Sequence, residues 1–327
     1  MNVSSVERIN VGVVGVGQMG ANHARIYSSL PHLCNLLGVH DNDAKASQQI
    51  AAKCRTTANA SFDDLLEQVD AVSVVVPTSA HYEMACKAIE RGKHVLLEKP
   101  IAATSAEGHD LVVRARAQGV VLQIGHVERF NPAVAVLPEI LANKQIVALE
   151  FRRLSPYSPR IFDSDVVSDL MIHDIDVLQS LVPLRPQAVA ASGSAPASKV
   201  RADYAVATLT YEGGIIANLT ASRVTEQKIR MLCITTLEAY IELDYLERRI
   251  LVTRATIPNF PEDGRSSYRQ ENIIEKVYVP NLEPLSSELE SFLRCIRTGE
   301  RPLVTGEHGT AALETVERIQ ACLYRGM

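Results

Sequence analysis

The chain has 327 residues, 46% of them hydrophobic and 22% charged, with a formal net charge of −5. That length exceeds what one hydrophobic core usually serves, so two domains are expected. Lys and Arg are interspersed with acids rather than massed, which argues against a nucleic-acid partner, and no apolar run approaches the roughly 20 residues that span a bilayer. The amino-terminal stretch lacks a basic region followed by a removable apolar segment, so a cytoplasmic protein with no membrane partner is expected.

The six cysteines (Cys34, Cys54, Cys86, Cys233, Cys295, Cys322) form no CxxC pair, and the nine histidines form no HxxxH or HExxH pair. No tightly held metal is expected, and the cysteines read as small buried residues in a reducing compartment. With no Trp and 5% aromatic residues, a carbohydrate-stacking platform is a weak candidate for the main binding device. The chemistry is left to an organic cofactor or to acid–base groups.

In chain order, INVGVVGV (9–16) is a β-branched run ending in glycines, and QMGANHARIYSSL after it has helical spacing. NLLGVHDND reads as a strand ending in acids, followed by a helix from Ala44 to Cys54 and a short one after an N-cap Ser61. Then come the strand AVSVVVPT, the helix HYEMACKAIERG stopped by Gly92, the strand HVLLEKP, a helix with Ser105 as N-cap, and the strand VVLQIGH. Apolar strands alternating with helices imply a parallel sheet covered on both faces.

Past Gly125 the pattern changes. QIVALEFRRL, QAVAASGS, YAVATLTY, GIIANLTASR, IRMLCITT, AYIELDYL and RRILVTRA are closely spaced strand candidates, which describes a largely antiparallel sheet. Helices are expected at PAVAVLPEILAN, at SDVVSDLMIHDIDVLQSLV and in a C-terminal pair, and the Pro-rich polar stretch near 256–275 reads as a loop. The expected fold is therefore α/β: a Rossmann parallel sheet over 1–124, then an α+β domain over 125–327 with a large, open, mostly antiparallel sheet. Strands such as VALEF and YAVATLTY leave apolar character for both sheet faces, which predicts a homo-oligomer, dimer or tetramer, assembled through the open sheet.

Gly15-Val16-Gly17-Gln18-Met19-Gly20 fits GxGxxG between a strand and a helix. In that context the glycines allow a tight turn, close approach of a pyrophosphate and helix–strand packing, while the helix N-terminus offers free N–H groups. Asp41 follows at the end of the second strand, where an acid binds ribose hydroxyls; with no Arg beside it to welcome a 2′-phosphate, it favours NAD over NADP. A plain structural glycine turn, and an Asp41 that merely caps the next helix, are the ordinary alternatives. His81 alone reads as a polar residue at a helix start, and Glu98-Lys99-Pro100 alone as a solvated strand end.

The combination is more specific. Gly15 to Gly20, P-T-S-A-H at 77–81, G-K-H-V-L-L-E-K-P at 92–100 and D-L-M-I-H-D-I-D at 169–176 together resemble the glucose–fructose oxidoreductase / inositol dehydrogenase (Gfo/Idh/MocA) family over nearly the whole chain. The resemblance implies an NAD-dependent sugar dehydrogenase whose cofactor is bound by Gly15, Gly17, Gln18, Met19, Gly20, Asp41, Pro77, Thr78, His81, Glu98 and Lys99. It places Lys99 and His173 beside the nicotinamide as catalytic residues, with Asp169 one helical turn before His173. An imidazole, with its ordinary pKa near 6.5, suits general-base work at neutral pH. His173 is thus expected as base, Asp169 as its orienter and Lys99 as donor to the substrate oxygen; the reverse assignment of Lys and His stays open. Met171 departs from the pattern, standing where many relatives carry Gly, and is expected to alter local packing or substrate shape.

G-H-V-E-R-F-N-P at 125–132 is similar to a segment of the family's UDP-N-acetylglucosamine 3-dehydrogenase-like members, which supply a 3-keto sugar nucleotide to an aminotransferase in lipid A precursor synthesis. A diphosphate substrate needs Arg forks and neutral donors. Arg129, Asn131, Arg152, Arg153, Tyr157 and Arg160 are the candidates, beside Lys99, Asp169 and His173. A dehydrogenase of a free polyol, inositol or hexose is the nearest alternative, and a non-catalytic NAD-sensing regulator is one of another class.

Overall fold

The computed structural model describes residues 8–157, 164–255 and 272–325. The chain divides into two compact units, one running to Phe130 and resuming over Glu283–Glu314, the other formed by Asn131–Leu282 and the residues from Thr315 onward.

In the first unit, β1 (Ile9–Val14), β2 (Cys34–His40), β3 (Thr57–Ala58), β4 (Ala71–Val74), β5 (His94–Glu98) and β6 (Leu122–Gly125) form one sheet of order β3-β2-β1-β4-β5-β6. Every pair in it is parallel. Helices α1 (Gln18–Ser28), α2 (Ala44–Cys54), α3 (Phe62–Gln68), α4 (Thr78–Glu90) and α5 (Ser105–Gln118) connect the strands. All residues of β4 and β6 are buried, the packing reason for their unbroken apolar runs. The strand order reverses between β1 and β4, and the crevice outside their carboxyl ends is where sheets of this topology bind ligands.

Ser61 caps α3 as expected, in a reciprocal box with Asp64. The cap of α5 is Thr104 rather than the expected Ser105: its hydroxyl accepts from Glu107 N–H while the Glu107 carboxylate accepts from Thr104 N–H, a box that only this register allows.

The expected second domain, 125–327, gives way at its C-terminal end, because α9 (Pro284–Thr298) and the first part of α10 (Gly306–Leu323) belong to the first unit. Leu285, Leu289, Phe292 and Leu293 of α9 join Ala24, Ile26 and Tyr27 of α1 in one buried cluster. The apolar stripe of α9 thus finds its cover on the Rossmann sheet's own helix layer.

The second unit holds α6 (Pro132–Ala135), α7 (Leu137–Leu141), α8 (Ile172–Leu181) and an eight-stranded sheet. Its strands are β7 (Ile146–Leu154), β8 (Ala188–Ser194), β9 (Tyr204–Thr210), β10 (Ile216–Ser222), β11 (Ile229–Thr236), β12 (Tyr240–Asp244), β13 (Arg249–Ala255) and β14 (Asn272–Val277). They run in the order β14-β13-β12-β11-β7-β10-β9-β8, antiparallel except for β7 beside β10. In β9 and β10 one face is buried (Ala205, Ala207, Leu209; Ala217, Leu219, Ala221) while Tyr204, Val206 and Ile216 on the other are exposed.

Two sequence expectations change here. The single helix expected over 132–143 is two short ones broken at Val136, with Pro138 in the first turn of α7, where its missing N–H costs nothing. The loop expected at 256–275 contains the start of β14, an exposed edge strand with no buried face to impose an apolar period on its sequence; 256–271 lie outside the described residues.

Candidate active site

The three motif glycines have different physical reasons. Gly15, at φ +81°, sits so close to the neighbouring strand end that a Cβ would lie 2.2 Å from the Val75 carbonyl oxygen, and a Cβ on Gly20 would lie 1.8 Å from that of Gly15. A Cβ on Gly17 would meet nothing within 4 Å. Gly15 and Gly20 therefore build the turn, whereas Gly17 faces open space. Gly17 is also the N-cap of α1, with no side-chain cap, so the first N–H groups of the helix and its positive end are available to an anion.

The Asp41 carboxylate faces the same turn. One oxygen accepts from Val16 N–H at 2.7 Å and the other from Asp43 N–H at 2.9 Å. The cap of α2 is Asp43, which accepts from Lys45 and Ala46 N–H, so Asp41 is not spent on capping. These features fit a dinucleotide: an uncapped helix start over an open glycine for the pyrophosphate, and an acid at the end of β2 for ribose hydroxyls.

A cavity of about 610 Å³ opens at this end of the sheet. Gly15, Gly17, Gln18, Met19, Gly20, Asp41, Pro77, Glu98 and Lys99 line it, as do His40, Asn42, Val75, Val76, Ala80 and Met84, which sequence reasoning did not single out. Asn42 adjoins Asp41, and Val75 and Val76 directly follow β4 within the apolar run AVSVVVPT, so the sequence signals their placement; nothing local marks Ala80 or Met84. Thr78, the first residue of α4, and His81 are not among the lining residues.

His81 is instead fully buried beneath the lysine turn, with Nδ1 2.7 Å from the Pro100 carbonyl oxygen and Nε2 2.9 Å from that of Val76. It thereby links the ends of β4 and β5. Burial holds its pKa below the ordinary value although both carbonyl contacts act to raise it. The Lys99–Pro100 bond is cis. Glu98 accepts from the backbone N–H of Lys99 at 3.1 Å. Burial pushes the Glu98 carboxyl up, but His23 and Lys99 outweigh it and hold the group below its usual range. His126, from the 125–132 motif, is fully buried, and burial followed by the charges of Lys99, Arg129 and His308 lowers its pKa to about 3. Arg129 is half-buried in a 3₁₀ turn over Val127–Phe130.

In the second unit, a π-helical turn over Val167–Met171 leads into α8 and carries Asp169, so the expected α-helical spacing from Asp169 to His173 is replaced by a wider turn. Both residues are half-buried and Met171 is fully buried. Asp165 anchors the entry to this segment: it accepts from Val167 and Ser168 N–H, and its other oxygen accepts from Gln320 and the Tyr324 hydroxyl at 2.9 and 3.0 Å.

The pleat of β7 separates the paired arginines. Arg153 lies on the buried face, where its guanidinium grips the carboxylate of Asp174 on α8 at 2.7–3.0 Å, both side chains at most 4% exposed, and stacks on Tyr245. Arg152 is exposed on the opposite face, away from α8. Asn131 is a buried N-cap, accepting from Ala133 N–H and donating to the Tyr245 carbonyl at 3.5 Å. Tyr157 is exposed, and Arg160 lies outside the described residues. Of the six expected diphosphate ligands, Arg153 and Asn131 are thus committed to holding the unit together, and Arg152 is turned to the sheet's other side.

A family model described as an oxidoreductase family with an NAD-binding Rossmann fold matches residues 9–126, and its companion, the family's C-terminal alpha/beta domain, matches 160–322. The chain belongs to the Gfo/Idh/MocA oxidoreductase family. This family member is an NAD-dependent sugar dehydrogenase. It is 35% identical over 324 residues to the UDP-N-acetylglucosamine 3-dehydrogenase of Acidithiobacillus ferrooxidans, covering 97% of this chain and 99% of that one. A solved structure of that enzyme matches with a TM-score of 0.89 at 33% identity, over 97% of this chain and 98% of that one. The scyllo-inositol 2-dehydrogenase (NAD(+)) of Bacillus subtilis is 26% identical over 326 residues, 94% of this chain and 92% of that one.

Proposed function

We propose that this dehydrogenase oxidises the C3 hydroxyl of UDP-N-acetylglucosamine to the 3-keto sugar nucleotide, the precursor an aminotransferase needs in lipid A synthesis. The observation that carries the reading is the likeness to the Acidithiobacillus ferrooxidans enzyme, which runs through both units at 35% identity. NAD, when bound, would supply the acceptor for the hydride that leaves C3. Gly17 and the start of α1 would hold its pyrophosphate and Asp41 its adenosine ribose, with Gln18, Met19, Pro77, Glu98 and Lys99 around it. Buried His81 would act through the main chain of Val76 and Pro100, and Thr78 from the start of α4. His173 takes the hydroxyl proton, Asp169 orients the imidazole, and Lys99 donates to the substrate oxygen as negative charge develops there. For the substrate diphosphate the remaining candidates are half-buried Arg129 and exposed Tyr157, with Arg160 a candidate from the sequence alone.

NADH formation over a panel of sugar nucleotides and free polyols tests the substrate. UDP-N-acetylglucosamine is expected to be turned over and UDP alone to bind; turnover of inositol or a hexose with no UDP binding would replace this reading with the free-polyol one. In the same assay Lys99→Met and His173→Asn are expected to lower turnover by roughly 100-fold or more while NAD binding survives. Among the described residues no helix is long and apolar enough to cross a membrane, and we place the enzyme in the cytoplasm. The exposed Tyr204, Val206, Ile216 and Tyr240 of the sheet's open face suit a homo-oligomer, dimer or tetramer; a monomer mass by light scattering at micromolar concentration would dismiss it.

A further inference from the structure

We propose that His23 is a positioning residue for Lys99, acting through Glu98 with Glu288 as the counter-charge, so that the helix at the glycine turn and the lysine turn are held by one buried polar cluster. This inference rests on the catalytic reading of Lys99. His23 lies on α1, Glu98 at the end of β5 and Glu288 on α9, and a ligand atom from each falls within 4.8 Å of the others. His23 and Glu288 are fully buried and Glu98 nearly so. The Glu98 carboxylate is divided: one oxygen accepts from Lys99 N–H at 3.1 Å, and the other lies 3.3 Å from His23 Nε2. Gly125 of β6 makes the room, since a Cβ there would lie 3.0 Å from the Glu98 carboxyl carbon. Gln123, also on β6, donates to the Glu288 carbonyl at 3.1 Å and ties that turn of α9 to the sheet.

Two carboxylates this close and this buried keep their charges only with a cation or a shared proton between them. His23, 3.3 Å from Glu98, is the one group of the cluster placed to supply it, and the charge of Lys99 adds to its effect on Glu98. Without His23, the cheapest relief is protonation of a carboxylate, which weakens the hold of Glu98 on the Lys99 backbone. Replacing Glu288 by a neutral amide removes the conflict and lets Glu98 stay ionised. A second substitution is thus expected to repair the first, an outcome that a purely space-filling histidine does not give.

The test compares full-length wild type, His23→Gln and His23→Gln/Glu288→Gln, each with NAD. The acetylation rate of Lys99 by acetic anhydride is read by peptide mass spectrometry against exposed Lys45 and Lys53, and NADH formation is measured alongside. His23→Gln is expected to change the Lys99 rate by more than it changes that of either reference lysine and to cut kcat roughly 10-fold or more, with KM and NAD affinity little changed. The double variant should recover most of both. If the single variant fails to fold, the double is read alone and should match wild-type Lys99 reactivity. An unchanged Lys99 rate in folded His23→Gln, or a double variant no better than the single, overturns the inference. Lys99→Met in parallel separates the two ideas: if it retains turnover, the catalytic reading of Lys99 fails, whereas the positioning by His23 is still decided by the acetylation rate.

Discussion

Substituting the motif glycines one at a time separates fold from cofactor binding. Gly17 has an ordinary φ of −60° and a Cβ would meet nothing within 4 Å, so Gly17→Ala should change stability by no more than about 1 kcal/mol and in the stabilising direction if at all. The methyl group would occupy the side from which a pyrophosphate approaches the helix start, and NAD affinity should fall at least about 10-fold, or roughly 1.4 kcal/mol. Gly20→Ala meets the Gly15 carbonyl oxygen at 1.8 Å, a contact with main chain that no rotamer relieves. It should cost roughly 3 kcal/mol or more of stability. Gly15→Ala adds a left-handed backbone penalty of about 1–2 kcal/mol to its own clash with Val75. Urea unfolding without NAD, paired with calorimetric NAD titration of each folded variant, reads the two effects separately. Wild-type NAD affinity in Gly17→Ala, or unfolding of Gly17→Ala as early as Gly20→Ala, would refute the division of labour among the three glycines.

Asp41→Ala should narrow the preference for NAD over NADP, measured as a ratio of kcat/KM, because the carboxylate that repels a 2′-phosphate is gone; it should also cost about 1 kcal/mol through the two N–H bonds it accepts from Val16 and Asp43. Acid should destabilise the first unit through His126. Its folded pKa of about 3 lies below the unfolded value, so the unfolded chain binds the extra proton and stability falls as pH drops from about 6.5 towards 3, by up to about 5 kcal/mol. His126→Gln should flatten that slope in urea titrations at pH 7 and pH 5, and an unchanged slope would place the acid sensitivity elsewhere. Arg153→Met leaves the Asp174 carboxylate buried without its cation and should cost about 3–5 kcal/mol; stability near wild type would mean that the clamp on α8 is dispensable.

Much of the first unit is legible in the sequence because its signals are local. The strand–glycine–helix grammar of residues 9–28, the acid at the end of β2 and the box beginning at Ser61 each depend on neighbours a few residues away. The tertiary structure decided the rest. Arg152 and Arg153 are chemically equal in the sequence, and the two-residue period of β7 sends one to the open face and the other onto Asp174. His81 reads as a polar helix start until β4 and β5 close over it with two carbonyl oxygens. The C-terminal helices look contiguous with the second domain, yet α9 buries its stripe against α1. His23, Glu98 and Glu288 come from three distant parts of the chain and meet only because α1, β5 and α9 pack around one sheet. Turn chemistry and periodicity are short-ranged, whereas the face a side chain takes and the charge it meets are set by strand register and helix packing, which no local stretch of sequence encodes.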